Sequence, residues 1–507
     1  MQIPVIDRTL LTAAGSGLLL AWAFPRLDLY PLAWVALIPL LLVMEKRPFV
    51  SGFTTGCVFF ALVLYWLNIV MTTFGGLDPV SSVVAYLLLV SYLALYFGAA
   101  TWLAWRVRLR LQLPVVVTLP VIWVALEFLR GWLLTGFPWA LLGYSQQNFS
   151  PAIQSADVTG VYGVSFMLVA VNAAVAHVIQ RPRDRGTVVV AAGLLLLVTS
   201  HFGYGLVRTQ QLTDDRPQQL RVALIQGNFD QSQKWNPELR QATVDRYLQL
   251  SRQALTADPE LLIWPEAATP FYLQDASELS AQVQRLPRAT GVPLLVGSPA
   301  YDQQSDGSQR YFNSAFLLTP DSADPPRSDK VHLVPFGEYV PLGKLLSFID
   351  KLVVGVGDFT AGEINPLPLQ GHHLGVLVCY EVIFPQLARR SVGQGSDLLV
   401  NLTNDAWFGR SSAPYQHLAM ARFRAIENRI WLARAANTGV SALIAPSGAI
   451  TLSGPIFEPL QLTGTVGLGA HPTFYRRFGD LFALVCLAMA LLLLTAQHFF
   501  PVRPGRR

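Results

Sequence analysis

The strongest constraint on how this chain can fold is a series of long apolar runs separated by short polar connections. A helix that crosses a bilayer needs roughly 17–25 mainly apolar residues. Runs of that kind lie at 10–24, 29–44, 52–72, 80–105, 115–134, 161–179 and 187–205, and an eighth at 480–500. The first two are the shortest. Of the 507 residues, 52% are AVILMFWYC and 14% are charged, against about 25% charged in ordinary soluble domains. The mean hydropathy is +0.40. Water offers so much apolar surface no refuge in a chain of this size, whereas a bilayer solvates it. The expected architecture is a polytopic α-helical membrane domain of eight spans, with seven in 1–208 and one in 479–507. A polar domain over 209–478 lies between them.

Lysine and arginine alternate in density from one connection to the next. Arg8, then Lys46 and Arg47, then Arg106, Arg108 and Arg110, then Arg181, Arg183 and Arg185, and finally Arg503, Arg506 and Arg507 mark one side. The other side holds Arg26 and no further Lys or Arg in 73–79 or 137–159. Cytoplasmic connections carry the excess of Lys and Arg. Both termini are therefore expected in the cytoplasm, and the large polar domain outside the inner membrane, in the periplasm. A rival reading takes Arg8, the apolar core and Ala21-Trp22-Ala23 as a cleaved signal peptide. It leaves the side of the large domain unchanged. The net charge of +5 belongs to these clusters, so a nucleic-acid partner is not expected.

Glu127 and Arg130 sit three residues apart near the end of the fifth run, on one helical face. They are either a helix-packing ion pair or a contact to a lipid headgroup, because charges inside a membrane usually face protein or a water-filled cavity. The uncharged loop holding Phe137 and Trp139, followed by Gly143 and Tyr144, is either an interfacial aromatic belt or the lining of a lipid entry site.

The polar domain alternates short apolar strands with helices. Strands are expected at 220–226, 260–264, 293–297, 314–318, 374–379, 397–402, 431–435 and 441–445. Helices are expected at 237–255, 277–288, 385–392 and 413–428, with polar loops at 303–308 and 321–329. The alternation argues for an α/β layered fold. Cys57 and Cys486 lie in apolar runs, where a thiol behaves as a small hydrophobe, which leaves Cys379 alone in the polar domain and without a disulfide partner there. No Cys/His cluster has metal-ligand spacing, so neither metal nor cofactor is expected. Asn401-Leu402-Thr403 matches a glycosylation sequon but ends an inferred buried strand. Gly355-Val356-Gly357 is too short for a phosphate loop, and His332 reads as structural.

Three local features stand in order: Trp264-Pro265-Glu266 at the end of a strand, Lys330 opening the stretch to Gly337-Glu338, and Gly375 to Cys379-Tyr380-Glu381 between a strand and a helix. Thiolate is the effective nucleophile of cysteine, and a nearby carboxylate can take its proton during attack. A fixed ammonium, with a backbone N–H beside the cysteine, stabilises the oxyanion of an attacked acyl carbonyl. Glu266 is thus assigned as general base, Lys330 as electrostatic stabiliser and Cys379 as nucleophile. Glu338, Glu381 and Tyr380 are supporting residues, the two carboxylates orienting Lys330 or aiding proton transfer. Together these motifs resemble the nitrilase superfamily, whose Glu–Lys–Cys triad sits on an αββα sandwich.

Spans on both sides of the domain, the Gly136-Phe137-Pro138-Trp139 loop and Asn401 to Gly409 extend the likeness to the apolipoprotein N-acyltransferase family over nearly the whole chain. That resemblance implies an acyl chain taken from the sn-1 position of a membrane phospholipid, typically phosphatidylethanolamine. The chain would be held on Cys379 as a thioester and passed to the α-amine of the S-diacylglyceryl cysteine of an apolipoprotein. Aromatic loops around Trp235 and at 353–359 are expected to cover the site and exclude water. The alternatives are a membrane-tethered amidase that uses water, and a non-catalytic scaffold with a decayed domain.

Overall fold

The structure is a computed structural model that describes residues 7–213, 218–322, 324–339 and 359–499. The chain forms two compact units. One comprises 1–65, 80–213 and 477–507; the other comprises 66–79 and 214–476. The stretch 66–79 thus groups with the polar unit, although it lies inside the first seven apolar runs.

In the helical unit, Pro79–Leu111, Val161–Gln180, Gly186–Gln211 and Leu481–Phe499 are each long and apolar enough to cross a membrane. Pro48–Val63 and Leu67–Phe74 meet at 57° and make a fifth if they count as one span. The remaining runs are shorter or broken. Arg8–Trp22 has 15 residues and Val115–Arg130 has 16. The run at 29–44 divides into a 3-10 turn, Tyr30–Trp34, and a short helix, Ile38–Val43, each with a proline in its first turn. Proline has no N–H to continue a preceding helix. The backbone groups freed by this break find partners on a neighbouring helix: Asn172 Oδ1 accepts Leu37 N–H at 2.8 Å and its Nδ2 donates to Ala33 O at 2.8 Å. Leu40 N–H is likewise taken by Ser16 Oγ at 2.8 Å. Small and polar contacts of this kind hold apolar helices together where burial from water cannot. Gly17 is one of them, since a Cβ there would run into the Thr55 carbonyl.

Among the described residues, the polar unit holds two six-stranded sheets. We number the strands β1 (Gln219–Gln226), β2 (Leu261–Ile263), β3 (Leu294–Gln303), β4 (Gln309–Leu318), β5 (Arg327–Asp329), β6 (Leu367–Leu369), β7 (His372–Val378), β8 (Leu398–Thr403), β9 (Leu432–Ala436), β10 (Ala442–Ile444), β11 (Ile450–Ser453) and β12 (Leu460–Gly467). The orders are β12-β1-β2-β3-β4-β5 and β11-β10-β9-β8-β7-β6. Between the sheets lies one apolar layer that includes Leu220, Val222 and Leu224 of β1 with Ile263, Leu295, Leu317, Leu374, Val400, Leu402 and Ala433. Each fully buried Leu or Ile there contributes about 1.5–3 kcal/mol. A second layer, with Ala223, Ile225, Leu262 and Val296, packs the outer face of the first sheet on Tyr247, Leu248 and Val283 of the helices Arg240–Ala254 and Glu278–Thr290. The alternation along β1 feeds one layer with even-numbered residues and the other with odd.

Every expected strand exists, with ends shifted by a few residues. β5, β6, β11 and β12 were not anticipated. β5 is three polar residues in a stretch expected to be a loop, and it pairs with β4 through Ser314↔Asp329. β12 reads Leu-Gln-Leu-Thr-Gly-Thr-Val-Gly and pairs antiparallel with β1 along its whole length. Edge strands half open to water carry little apolar signal, so only their partners reveal them.

Candidate active site

The first sheet delivers Glu266 and Lys330, and the second delivers Cys379. β2 ends at Ile263, and Trp264-Pro265 carries the chain to Glu266. This turn lies against Gly297 of β3, where a Cβ would stand 2.7 Å from Glu266 Cα and from Ala267 N. Only glycine admits so close a backbone. Lys330 follows β5 directly, and its N–H donates to Asn313 O on β4 at 2.8 Å. Cys379 follows β7 and opens a 3-10 turn, Cys379–Ile383, with φ at +54°. That left-handed backbone is uncommon for a residue with a Cβ.

These three side chains, far apart in sequence, are brought together and buried. Glu266 is 7% exposed, Lys330 1% and Cys379 8%. Glu266 Oε1 accepts from Asn313 Nδ2 at 2.8 Å and lies 3.8 Å from Lys330 Nζ, while its Oε2 accepts from Asn404 N–H at 2.9 Å. Lys330 Nζ donates to Glu338 at 2.9 Å. Glu338 also accepts from Asn313 Nδ2 at 3.0 Å and from Val334 N–H at 2.8 Å. Burial alone would push the Lys330 ammonium down, but Glu338 and then Glu266 outweigh it and hold it above the ordinary lysine value. Lys330 is therefore a fixed positive charge. The Cys379 thiol is pushed well above its usual range by burial and then by Glu266, with Lys330 opposing. A resting thiolate is disfavoured there.

Glu381 does something more specific than orient Lys330. Its Oε1 accepts from Val331 N–H at 2.6 Å and His332 N–H at 2.9 Å, and its Oε2 from Val378 N–H at 2.6 Å. One carboxylate thus ties the segment after Lys330 to the residue before Cys379. Its pKa is pushed up to about 7 by burial, against Lys330 and these backbone donors. Tyr380 is half-buried and edge-on to Phe384 at 5.2 Å. His332 packs on Phe384 at 3.9 Å, and burial and then Lys330 push it down to about 4. A neutral, packed ring agrees with its structural reading.

Three contributors were missed: Lys234, Asn313 and Asn404. Lys234 is 5% exposed and its Nζ donates to Glu266 O at 3.1 Å. Burial pushes it down to about 8, with Glu266 and Cys379 opposing. Next to it, Trp235 is half-buried on the turn 231–235. An asparagine in a strand and a lysine before a tryptophan carry no signal of their own. Asn404 lies in the segment already matched at 401–409, but nothing in its type foretold a bond to Glu266.

Of the other expected residues, Trp139 and Tyr144 are buried in the helical unit and Phe137 is half-buried. Gly143 N–H donates to Ser165 Oγ at 2.9 Å. Glu127 Oε1 accepts from Trp123 Nε1 and from Leu142 N–H, so this carboxylate holds the loop as well as facing Arg130. The sequon residue Asn401 is fully buried, which removes it as an acceptor. Residues 353–358 of the expected covering loop, and with them Gly355-Val356-Gly357, lie outside the described residues, as do Arg503, Arg506 and Arg507. In the polar unit, Trp66 Nε1 donates to Gln416 Oε1 at 3.3 Å, Trp66 meets Phe408 edge-on at 4.8 Å and Phe74 meets Trp407 at 5.4 Å.

Two stacked α/β sheets that present Glu, Lys and Cys in one buried cluster define a carbon–nitrogen hydrolase-type domain, and the carbon-nitrogen hydrolase family model matches residues 221–464. Residues 16–174 match the model of the apolipoprotein N-acyltransferase N-terminal domain. The apolipoprotein N-acyltransferase of Geobacter metallireducens is 47% identical over 97% of this chain and 96% of its own, and that of Methylococcus capsulatus is 36% identical over 93% of each. The chain belongs to the apolipoprotein N-acyltransferase family, and it is an N-acyltransferase enzyme. Among solved structures, an amidase from Nesterenkonia sp. is similar at 22% identity, over 54% of this chain and 97% of that one, with a TM-score of 0.38.

Proposed function

We propose that this protein moves an acyl chain from the sn-1 position of a membrane phospholipid, typically phosphatidylethanolamine, to the α-amine of the S-diacylglyceryl cysteine that begins an apolipoprotein. The observation that carries the reading is the buried Glu266–Lys330–Cys379 cluster in a chain similar to N-acyltransferases along 97% of its length. In the first half-reaction Glu266 takes the Cys379 proton and the sulfur attacks the ester carbonyl. The oxyanion rests against Lys330 and the Tyr380 N–H. The C–O bond then breaks, the glycerol oxygen takes the proton back from Glu266, and a lysophospholipid leaves. In the second, the neutral α-amine attacks the thioester, Glu266 accepts the amine's proton, the C–S bond breaks and Cys379 regains a proton as the amide forms. Asn313 and Asn404 hold Glu266 in place, and Glu338 holds Lys330.

Both substrates are lipid-anchored. A multi-pass protein of the bacterial inner membrane with its catalytic domain in the periplasm meets both, and the alternation of Lys and Arg between apolar runs supports that topology. Eight passes, with the shorter and broken helices counted, keep both termini in the cytoplasm. The domain reading is a membrane part over 1–208 and 479–507 around a catalytic domain at 209–478. Phe137, Trp139, Gly143, Tyr144 and Trp235 remain the proposed lipid-side residues: Phe137 and Trp235 are half-buried, and Trp139, Gly143 and Tyr144 are buried and act by shaping the loop.

The test is intact-mass analysis of the purified protein after incubation with phosphatidylethanolamine alone. An acyl-sized adduct on Cys379 that persists until a diacylated lipopeptide arrives, and then moves to its amine, is the expected result. Rapid loss of the adduct to water, or no adduct, would overturn the transferase reading.

A further inference from the structure

Around the backbone carbonyl of Cys379 lies a second polar cluster that the reaction above does not use. His417 comes from the helix Ala413–Asn428, Arg434 from β9, Asn401 from β8, and Asp405 from the turn after β8. All four are fully buried. His417 Nε2 is 3.1 Å from Cys379 O, and Asn401 Nδ2 is 3.4 Å from the same oxygen and 2.8 Å from Leu377 O. His417 Nδ1 is 3.0 Å from Asp405 Oδ1 and 3.1 Å from Arg434 Nη2. Arg434 Nη2 donates to Asp405 Oδ2 at 2.6 Å, and its Nη1 donates to Asn401. Thr403 Oγ1 donates to Asp405 Oδ1 at 2.9 Å.

A carbonyl only accepts, so His417 Nε2 carries a hydrogen. The ring lies next to the guanidinium of Arg434, and burial and then Arg434 hold its pKa below the ordinary value. With Nε2–H on the Cys379 carbonyl, Nδ1 lies between the Asp405 carboxylate and the Arg434 guanidinium. Asp405, fully buried beside Arg434, completes the brace.

The carbonyl this brace grips belongs to the residue with the left-handed backbone, φ +54°. In a planar trans peptide the C=O and N–H point in opposite directions. Anchoring Cys379 O toward His417 therefore aims the Tyr380 N–H away from the brace. We propose that His417, braced by Asp405 and Arg434, is a positioning residue that fixes the Cys379–Tyr380 peptide so that the Tyr380 N–H meets the oxyanion. The inference rests on the thioester reading above. His417 touches no reacting atom and acts only through the Cys379 carbonyl. Without a donor at Nε2 the Cys379 carbonyl keeps only the longer contact to Asn401 Nδ2 at 3.4 Å, the peptide can relax from its strained conformation, and the oxyanion loses one of its two partners. Loss of one preorganised oxyanion donor costs about 10²–10³-fold in rate.

The experiment uses full-length protein in detergent micelles, with His417→Gln, which keeps a donor near Nε2, and His417→Met, of similar bulk without one. Melting temperature identifies folded protein. Two rates are read: Cys379 acylation by phosphatidylethanolamine, followed by intact mass, and Cys379 alkylation by iodoacetamide, which forms no oxyanion. The expected result is acylation slowed about 10²-fold in His417→Met, with an unchanged KM for phospholipid and alkylation within about threefold of wild type. His417→Gln is expected to recover to within about tenfold. Equal acylation by the Gln and Met variants, or a parallel fall in acylation and alkylation, would overturn the role. If only His417→Gln folds, an acylation rate as low as that expected for Met overturns it too. Absence of an adduct on wild-type Cys379 would instead remove the thioester reading itself.

Discussion

Large apolar side chains stand exposed from Leu11 to Val207 and again from Phe474 to Phe499, whereas none between Val207 and Phe474 does so among the described residues. Buried charge has the opposite distribution. Among the described residues, the polar unit buries Lys234, Glu266, Lys330, Glu381, Asp405, Arg422, Arg424, Glu427, Arg429 and Arg434; the helical unit buries Glu127, Arg130 and Asp157. The same chain thus obeys two solvent rules. The helices turn apolar surface outward and join through small polar contacts, as a lipid solvent requires. The sandwich turns apolar surface inward, and its buried ions survive because each is paired or hydrogen-bonded. What the contrast teaches is where a charge can do chemistry: in a dry, apolar-walled interior, an ammonium and a carboxylate act at far greater strength than in water.

The largest effect that would break this comparison falls at Cys379, the proposed nucleophile. Cys379→Ala is expected to remove acyl-adduct formation and to lower N-acylation of a diacylated lipopeptide by on the order of 10⁴-fold or more, read by intact mass and product chromatography. Leu196 is 70% exposed on the helix Arg185–Thr213. If lipid is its solvent, Leu196→Arg costs about 3 kcal/mol of insertion free energy and lowers the yield of folded protein extracted from membranes. Unchanged yield would mean that this surface faces water. Glu381 sharpens the view of the sandwich. Its pKa is raised to about 7 in the folded protein, from about 4.3 in an unfolded chain. Between those values the folded state holds a proton that the unfolded state has released, so stability falls as pH rises. Wild type is expected to lose up to about 4 kcal/mol across this window that Glu381→Gln does not lose, measured as melting temperatures of both proteins against pH. The smallest effect is expected at Asn313. Asn313→Ala removes one donor from Glu266 and one from Glu338 and slows acylation by about tenfold, equivalent to one charged hydrogen bond, in single-turnover measurements.

Apolar runs made the helical unit legible, because its solvent demands a composition that any window reveals. They did not reveal which runs stay whole. Pro31 and Pro39 break one of them, and the structure answers with Asn172, a residue that sequence reasoning had no cause to notice. Glu266 and Cys379 stood out because each ends an expected strand, and Lys330 because it opens the stretch to Gly337-Glu338. Residues that touch them from other strands were not.

The order of apolar and polar segments, the alternation of Lys and Arg, and the identity of the Glu, Lys and Cys groups were determined by the sequence itself. These are local or periodic properties, and solvent preference and chemistry act on them directly. Only the tertiary structure decided that Asn313 and Asn404 grip Glu266, that Glu381 ties the Lys330 segment to the Cys379 strand, and that His417 holds the Cys379 carbonyl. Each of those contacts joins separate elements. Nothing in a residue's own neighbourhood encodes a partner that only sheet stacking brings within hydrogen-bond reach.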